Sequence, residues 1–177
     1  MMRHFSIVLT VATIATAMVL PNWPENAGTW AQSVYTSTDS DFSIAFPGPP
    51  DVDAHAPQND DAPGSWTYLV KENGISFSVR IDQYPKSIRV PDPTPFTYQL
   101  LLRGHAVETS SRLVSTGPVL LGKKPALQGV FASSNGGTEL RRVLMVGHRV
   151  YQVSYSTEGP ADPGQGAAFL DSFKLSY

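Results

Sequence analysis

One stretch constrains the chain more than any other: SWTYLVKENGISFSVRIDQY, residues 65–84. Asn73-Gly74 tolerates the positive φ angles of a type I′ turn, so the flanking segments fold back on each other as an antiparallel hairpin. In the second arm Ile75, Phe77, Val79 and Ile81 alternate with Ser76, Ser78, Arg80 and Asp82. That period of two sends one set to a core and the other to water. Trp66, Tyr68 and Val70 share a face of the first arm in the same way.

The remaining segments read as partners for this hairpin. In DFSIAFPGPPD, residues 41–51, Phe42, Ile44 and Phe46 alternate with Ser43 and Ala45, which predicts a half-buried strand stopped by prolines. Residues 47–64 are rich in Pro, Asp and Ala without periodicity and predict an exposed loop. Pro91, Pro93 and Pro95 forbid a helix before Thr94, which caps one with Pro95 in the first helical position. Phe96, Leu100, Leu101 and Val107 recur at helical spacing, and that stripe is expected to pack on the sheet.

From Thr109 onward the chain reads as strands again, broken at Gly117-Pro118 and turning at residues 135–137 (NGG) and at Gly147-His148. Links of two to five residues leave no room for parallel crossovers, so these strands form an antiparallel meander. A last helix begins at Asp162-Pro163 and brings Phe169 and Phe173 onto one face, four residues apart. Asp171 and Ser172 are placed on its outer side, and KLSY ends the chain as an edge strand or a tail. The expected fold class is α+β: a central antiparallel β-sheet of about six to eight strands with flanking α-helices.

The first residues speak to compartment. Arg3 and His4 precede sixteen uncharged residues, Phe5–Leu20, fewer than the roughly 18 of a membrane-spanning helix. A basic start, an apolar run and small residues at Thr29 and Ala31 describe an export signal cleaved after Ala31, with Ala17 as the alternative cut and an uncleaved anchor as the other possibility. The reading is therefore a signal peptide over 1–31 and one domain over 32–177, periplasmic or extracellular, with no membrane segment after cleavage. A domain of that length buries about 68–70% of its unfolded surface. It needs no disulfide, and the chain has no cysteine. That absence excludes thiol catalysis and cysteine-bound zinc. With 13 basic against 15 acidic residues and no basic stripe, nucleic acid is not expected as a partner.

Catalytic and ligand-binding signatures are sparse. His55, His105 and His148 stand far apart in sequence, so no helical metal pair exists. His105 reads as a cation near a helix C-terminus. The acid pairs Asp39/Asp41, Asp51/Asp53 and Asp60/Asp61 lack the third acid and glycine of a calcium loop and read as solvated. No G-x-S-x-G elbow or S-x-x-K motif occurs, and Gly122-Lys123-Lys124 lacks the rest of a phosphate loop. Trp66, Tyr68, Tyr84, Tyr98, Tyr151 and Tyr155 offer either a ligand groove or sheet packing, and packing is the preferred reading. No catalytic, cofactor or metal residue is assigned.

DFSIAFPGPPD near the start and RVYQVSYSTEG with AAFLDSFKL near the end resemble the framing segments of PsbP-like domains. That family includes the extrinsic photosystem II subunit and many secreted bacterial proteins, and its fold resembles that of the Ran-binding nuclear import factor. The resemblance spans about residues 35–177 and rests on fold-defining segments, so it carries over no catalytic residue. It implies a central antiparallel sheet with flanking helices serving as a non-catalytic binding or accessory module. The expectation is an exported binding protein whose partner is another protein of the cell envelope. The alternatives are a small extracytoplasmic hydrolase and a metal-binding module built on the loop carboxylates.

Overall fold

Asn73 and Gly74 take φ angles of 50° and 75°, and the hairpin they turn joins β4 (Gly64–Glu72) to β5 (Ile75–Gln83). The computed structural model describes residues 33–90, 92–159 and 162–176. The expected signal segment, with Ala31 and the alternative cut at Ala17, lies outside the described residues.

The other elements are β1 (Ser33–Ser37), β2 (Phe42–Phe46), β3 (Asp51–His55), α1 (Pro95–Glu108), β6 (Arg112–Leu121), β7 (Lys124–Ala132), β8 (Thr138–Val146), β9 (Arg149–Thr157), α2 (Pro163–Asp171) and β10 (Lys174–Leu175). Seven strands form one antiparallel sheet in the order β3-β4-β5-β9-β8-β7-β6. Two meanders meet where β5 pairs with β9, Val79 opposite Val153. The antiparallel, sheet-rich architecture with two helices is as expected, but it holds two sheets where one was predicted. β2 pairs with β1 on one side and β10 on the other, giving a separate three-stranded sheet.

That small sheet and α2 close one face of the large one. Phe42, Ile44 and Phe46 are fully buried, facing Phe77, Val79, Ile81, Tyr151, Val153 and Tyr155. Phe169 sits 5.4 Å from Phe46 and 5.2 Å from Phe77, while Phe173 stacks on Phe42 at 5.6 Å. Such ring pairs contribute about 0.5–1.5 kcal/mol each beyond their burial. Two buried hydroxyl contacts lock the β1–β2 turn down, since the Tyr68 hydroxyl pairs with Ser37 Oγ at 2.8 Å and Ser40 Oγ at 3.1 Å.

Four expectations need correction. Residues 51–55, read as loop, form β3; all five are exposed, so no apolar alternation marks them. Its backbone ladder with β4 supplies the strand instead. Gly117-Pro118 does not break β6, because β6 is the sheet's edge and an edge strand tolerates a proline's missing N–H. Ser172 does not face outward; its Oγ accepts from the Ala45 amide at 3.0 Å and donates to the Phe169 carbonyl at 2.6 Å. The fourth correction concerns the stripe on α1 and shapes the site.

Candidate functional site

α1 starts where expected. Thr94 and Thr97 form a reciprocal capping box, each side chain bonding the other's backbone amide at 3.3 Å. The helix then buries the other stripe. Tyr98 and Leu102 pack against Leu127, Phe131 and Val143, with Leu102 fully buried. Gly129 makes this fit possible: a Cβ there would lie 2.9 Å from Phe131 and 3.1 Å from Leu102. Phe96, Leu100 and Val107 are left 64%, 52% and 82% exposed, and of the predicted stripe only Leu101 packs against this cluster. Both stripes obey helical spacing. The choice between them is made by the apolar patch on β7 and β8, which a helix pattern read in isolation does not contain.

Seated over β6, β7 and β8, α1 leaves the same face of β4, β5 and β9 uncovered. Between the helix and this open half lies a cleft of about 510 Å³. Thr67, Ser78, Arg80, Arg141 and Gln152 line its sheet side, and Leu100, Leu101, Gly104 and His105 its helix side. Polar residues form one continuous chain across three strands, β5, β9 and β8, and α1. Arg80 Nε donates to Asp82 at 3.1 Å, and Gln152 Nε2 donates to the same carboxylate at 3.1 Å. Arg141 Nη1 donates to Gln152 Oε1 at 2.9 Å, and its Nε donates to Glu139 Oε1 at 2.6 Å. His105 Nε2 completes the chain 3.0 Å from Glu139 Oε2. Beside it, the Ser78 and Ser154 hydroxyls pair across β5 and β9 at 2.8 Å.

Burial alone would raise the Glu139 carboxyl's pKa, but the His105 hydrogen bond and the nearby Arg141 and His105 charges outweigh it and hold it below the usual carboxylate value. His105 is further fixed by Phe131, whose ring it meets edge-on at 5.1 Å. A carboxylate-held imidazole is half of a nucleophile-activating pair. Its other half is not in place: among the described residues no hydroxyl bonds this ring, and the adjacent Thr109 hydroxyl donates instead to the His105 backbone carbonyl at 2.8 Å.

The other sequence candidates are scattered. The three histidines lie on separate elements, β3, α1 and the β8–β9 turn. His55 lies on exposed β3, 3.6 Å from Asp53. His148 sits in the β8–β9 turn, its Nδ1 buried without a partner, beside Asp41, Asp60 and Arg149. Asp41 pairs with Arg149 at 3.0 Å and Asp60 with Lys86 at 2.9 Å. Among the described residues no group of three metal-ligating side chains forms, and no helix is long and apolar enough to cross a membrane. Of the aromatics, Trp66, Tyr68, Tyr98, Tyr151 and Tyr155 are buried in packing, and Tyr84 is exposed.

Glu139 and Arg141 were not singled out from the sequence. The signal was present in TELRRVLMVG, where both fall on the face that Val143 shows to be buried. There the two opposite charges pair with each other at 2.6 Å, and His105 bonds Glu139 from α1. No known family model matches the chain, and no curated protein matches it in sequence.

Proposed function

We propose that this chain is an exported, non-catalytic binding or accessory module of the PsbP-like kind. Its contact surface is the outer face of α1 together with the cleft beneath it. The observation that carries this reading is the inverted helix: Phe96, Leu100 and Val107, at i, i+4 and i+11, form an exposed apolar stripe beside a pre-ordered polar cleft. An apolar centre with a polar, hydrogen-bonding border is the composition of a protein–protein contact. Arg80 and Arg141 on the cleft's sheet side are already paired with Asp82 and Glu139 within the chain, so docking over them would not leave a buried guanidinium unpaired. The partner that fits is another protein of the envelope. Residues 1–31 are what would bring the chain to that compartment.

The test compares residues 32–177 with the same chain carrying Phe96→Ser and Val107→Ser. Each is used as bait in an extract of the native envelope, and retained proteins are identified by mass spectrometry. A protein held by the parent and lost from the variant is the expected result. Identical retention by both baits, or turnover of an ester or glycoside panel by the purified parent, would overturn the reading.

A further inference from the structure

A second cleft, sharing no residue with the first, lies between the β6–β7 turn and the α2–β10 segment. It encloses about 770 Å³ and is lined by Leu120, Leu170, Phe173 and Leu175 together with Lys123, Lys124 and Lys174. Leu170 and Phe173 are buried core residues whose edges form the floor, while Leu120 projects into solvent, 63% exposed. The β6–β7 turn is braced against β10, since a Cβ on Gly122 would lie 3.2 Å from the Leu175 amide. The lining is thus held in place by main chain rather than by flexible side chains alone.

The charge here is unlike the rest of the molecule. The chain carries a net charge of −2, yet three of its five lysines rim this one cleft. Asp171 is the only acid in the lining, and its carboxylate is bound to Arg142 at 2.6 Å. Lys123 and Lys174 enter no ion pair among the described residues. An apolar trough with ammonium groups at its rim matches an anion carried on a hydrocarbon chain. The chain gains by leaving water, and the anion gains from the two lysines. The trough lies within the common size of small-molecule sites, about 300–1,000 Å³.

From this juxtaposition we infer that the cleft binds a single-chain anionic amphiphile, namely a fatty acid, with its carboxylate at Lys123 and Lys174 and its tail along Leu120, Leu170 and Leu175. Titration calorimetry of residues 32–177 with laurate below its micellar concentration tests this. Dodecanol and acetate serve as the chain without the charge and the charge without the chain. Saturable one-to-one laurate binding is expected, at least tenfold tighter than either control and weaker at higher salt. Lys123→Asn with Lys174→Glu should lower the affinity at least tenfold. Both side chains are exposed, and asparagine suits the φ of 69° at Lys123, so the fold should persist. A control variant, Leu120→Ser, should weaken laurate without weakening its salt dependence. Equal binding of laurate and dodecanol, no effect of the lysine changes, or binding only to anionic phospholipid vesicles and not to laurate would each overturn the inference.

Discussion

The two faces of the seven-stranded sheet follow the same alternation rule and end up in opposite states. One face is sealed by β2, β10 and α2 over a floor of Phe77, Val79, Tyr151, Val153 and Tyr155. The other is covered by α1 only over β6, β7 and β8, and across β4, β5 and β9 it presents serines, threonine and an ordered ion-pair chain to a cleft. On the sealed face nearly every group serves packing. On the open face the side chains are held by hydrogen bonds, and the apolar residues nearest to them point outward from α1. The difference teaches that the proposed recognition surface is confined to the half of one face that α1 leaves uncovered, while the sealed face and the cluster under α1 hold the fold.

The sharpest way to break the comparison is on the sealed side. Phe169→Ala removes a buried ring wedged against Phe46 and Phe77; urea denaturation should show a loss of about 3–5 kcal/mol. On the other face, in the cluster under α1, Leu102→Ala should cost about 2–5 kcal/mol, as a buried leucine truncation does, and should also loosen α1 over its cleft. Gly129→Ala approaches the same joint from the other side. Its Cβ would crowd Phe131 and Leu102, and a loss of about 1–3 kcal/mol is expected from overpacking.

Glu139 provides a probe of smaller effect on the open face. Its carboxyl has a folded pKa below the unfolded value of about 4.3. The stability it contributes is therefore fully present above that unfolded value and is lost as pH falls through the lower folded one. Glu139→Gln should flatten the acid limb of a stability–pH profile below about pH 4.3. An unchanged acid limb would mean that the His105–Glu139–Arg141 contacts do not bias the carboxyl. The smallest stability effect should come from Phe96→Ser and Val107→Ser, each within about 0.5 kcal/mol of the parent, as for surface positions generally.

The sequence made the sealed face legible because each of its strands alternates cleanly and each turn carries its own chemistry: Asn73-Gly74, Gly147-His148, and the Asp162-Pro163 helix start. β1 and β3 escaped that reading. DVDAH is exposed throughout and SVYTS turns only Tyr35 and Ser37 inward, so neither shows an apolar alternation, and pairing to β4 and β2 makes them strands. The site escaped for a different reason. Residues at 80, 82, 105, 139, 141 and 152 are joined only after α1 crosses from β5 to β6, and helical spacing alone allowed α1 to seat either of two stripes. The stripe that lost is the one exposed at the surface, and no feature within the helix distinguishes it.

The central claim, that the open side with its α1 stripe is where a partner docks, is tested most directly by site-specific photo-crosslinking in the native envelope. A photoreactive phenylalanine analogue is placed at position 96 or 107, and at Val52 on exposed β3 as a control. The account predicts a discrete adduct of one mass from 96 and 107 that is absent from 52. Adducts of equal yield at all three positions, or at 52 alone, would contradict it.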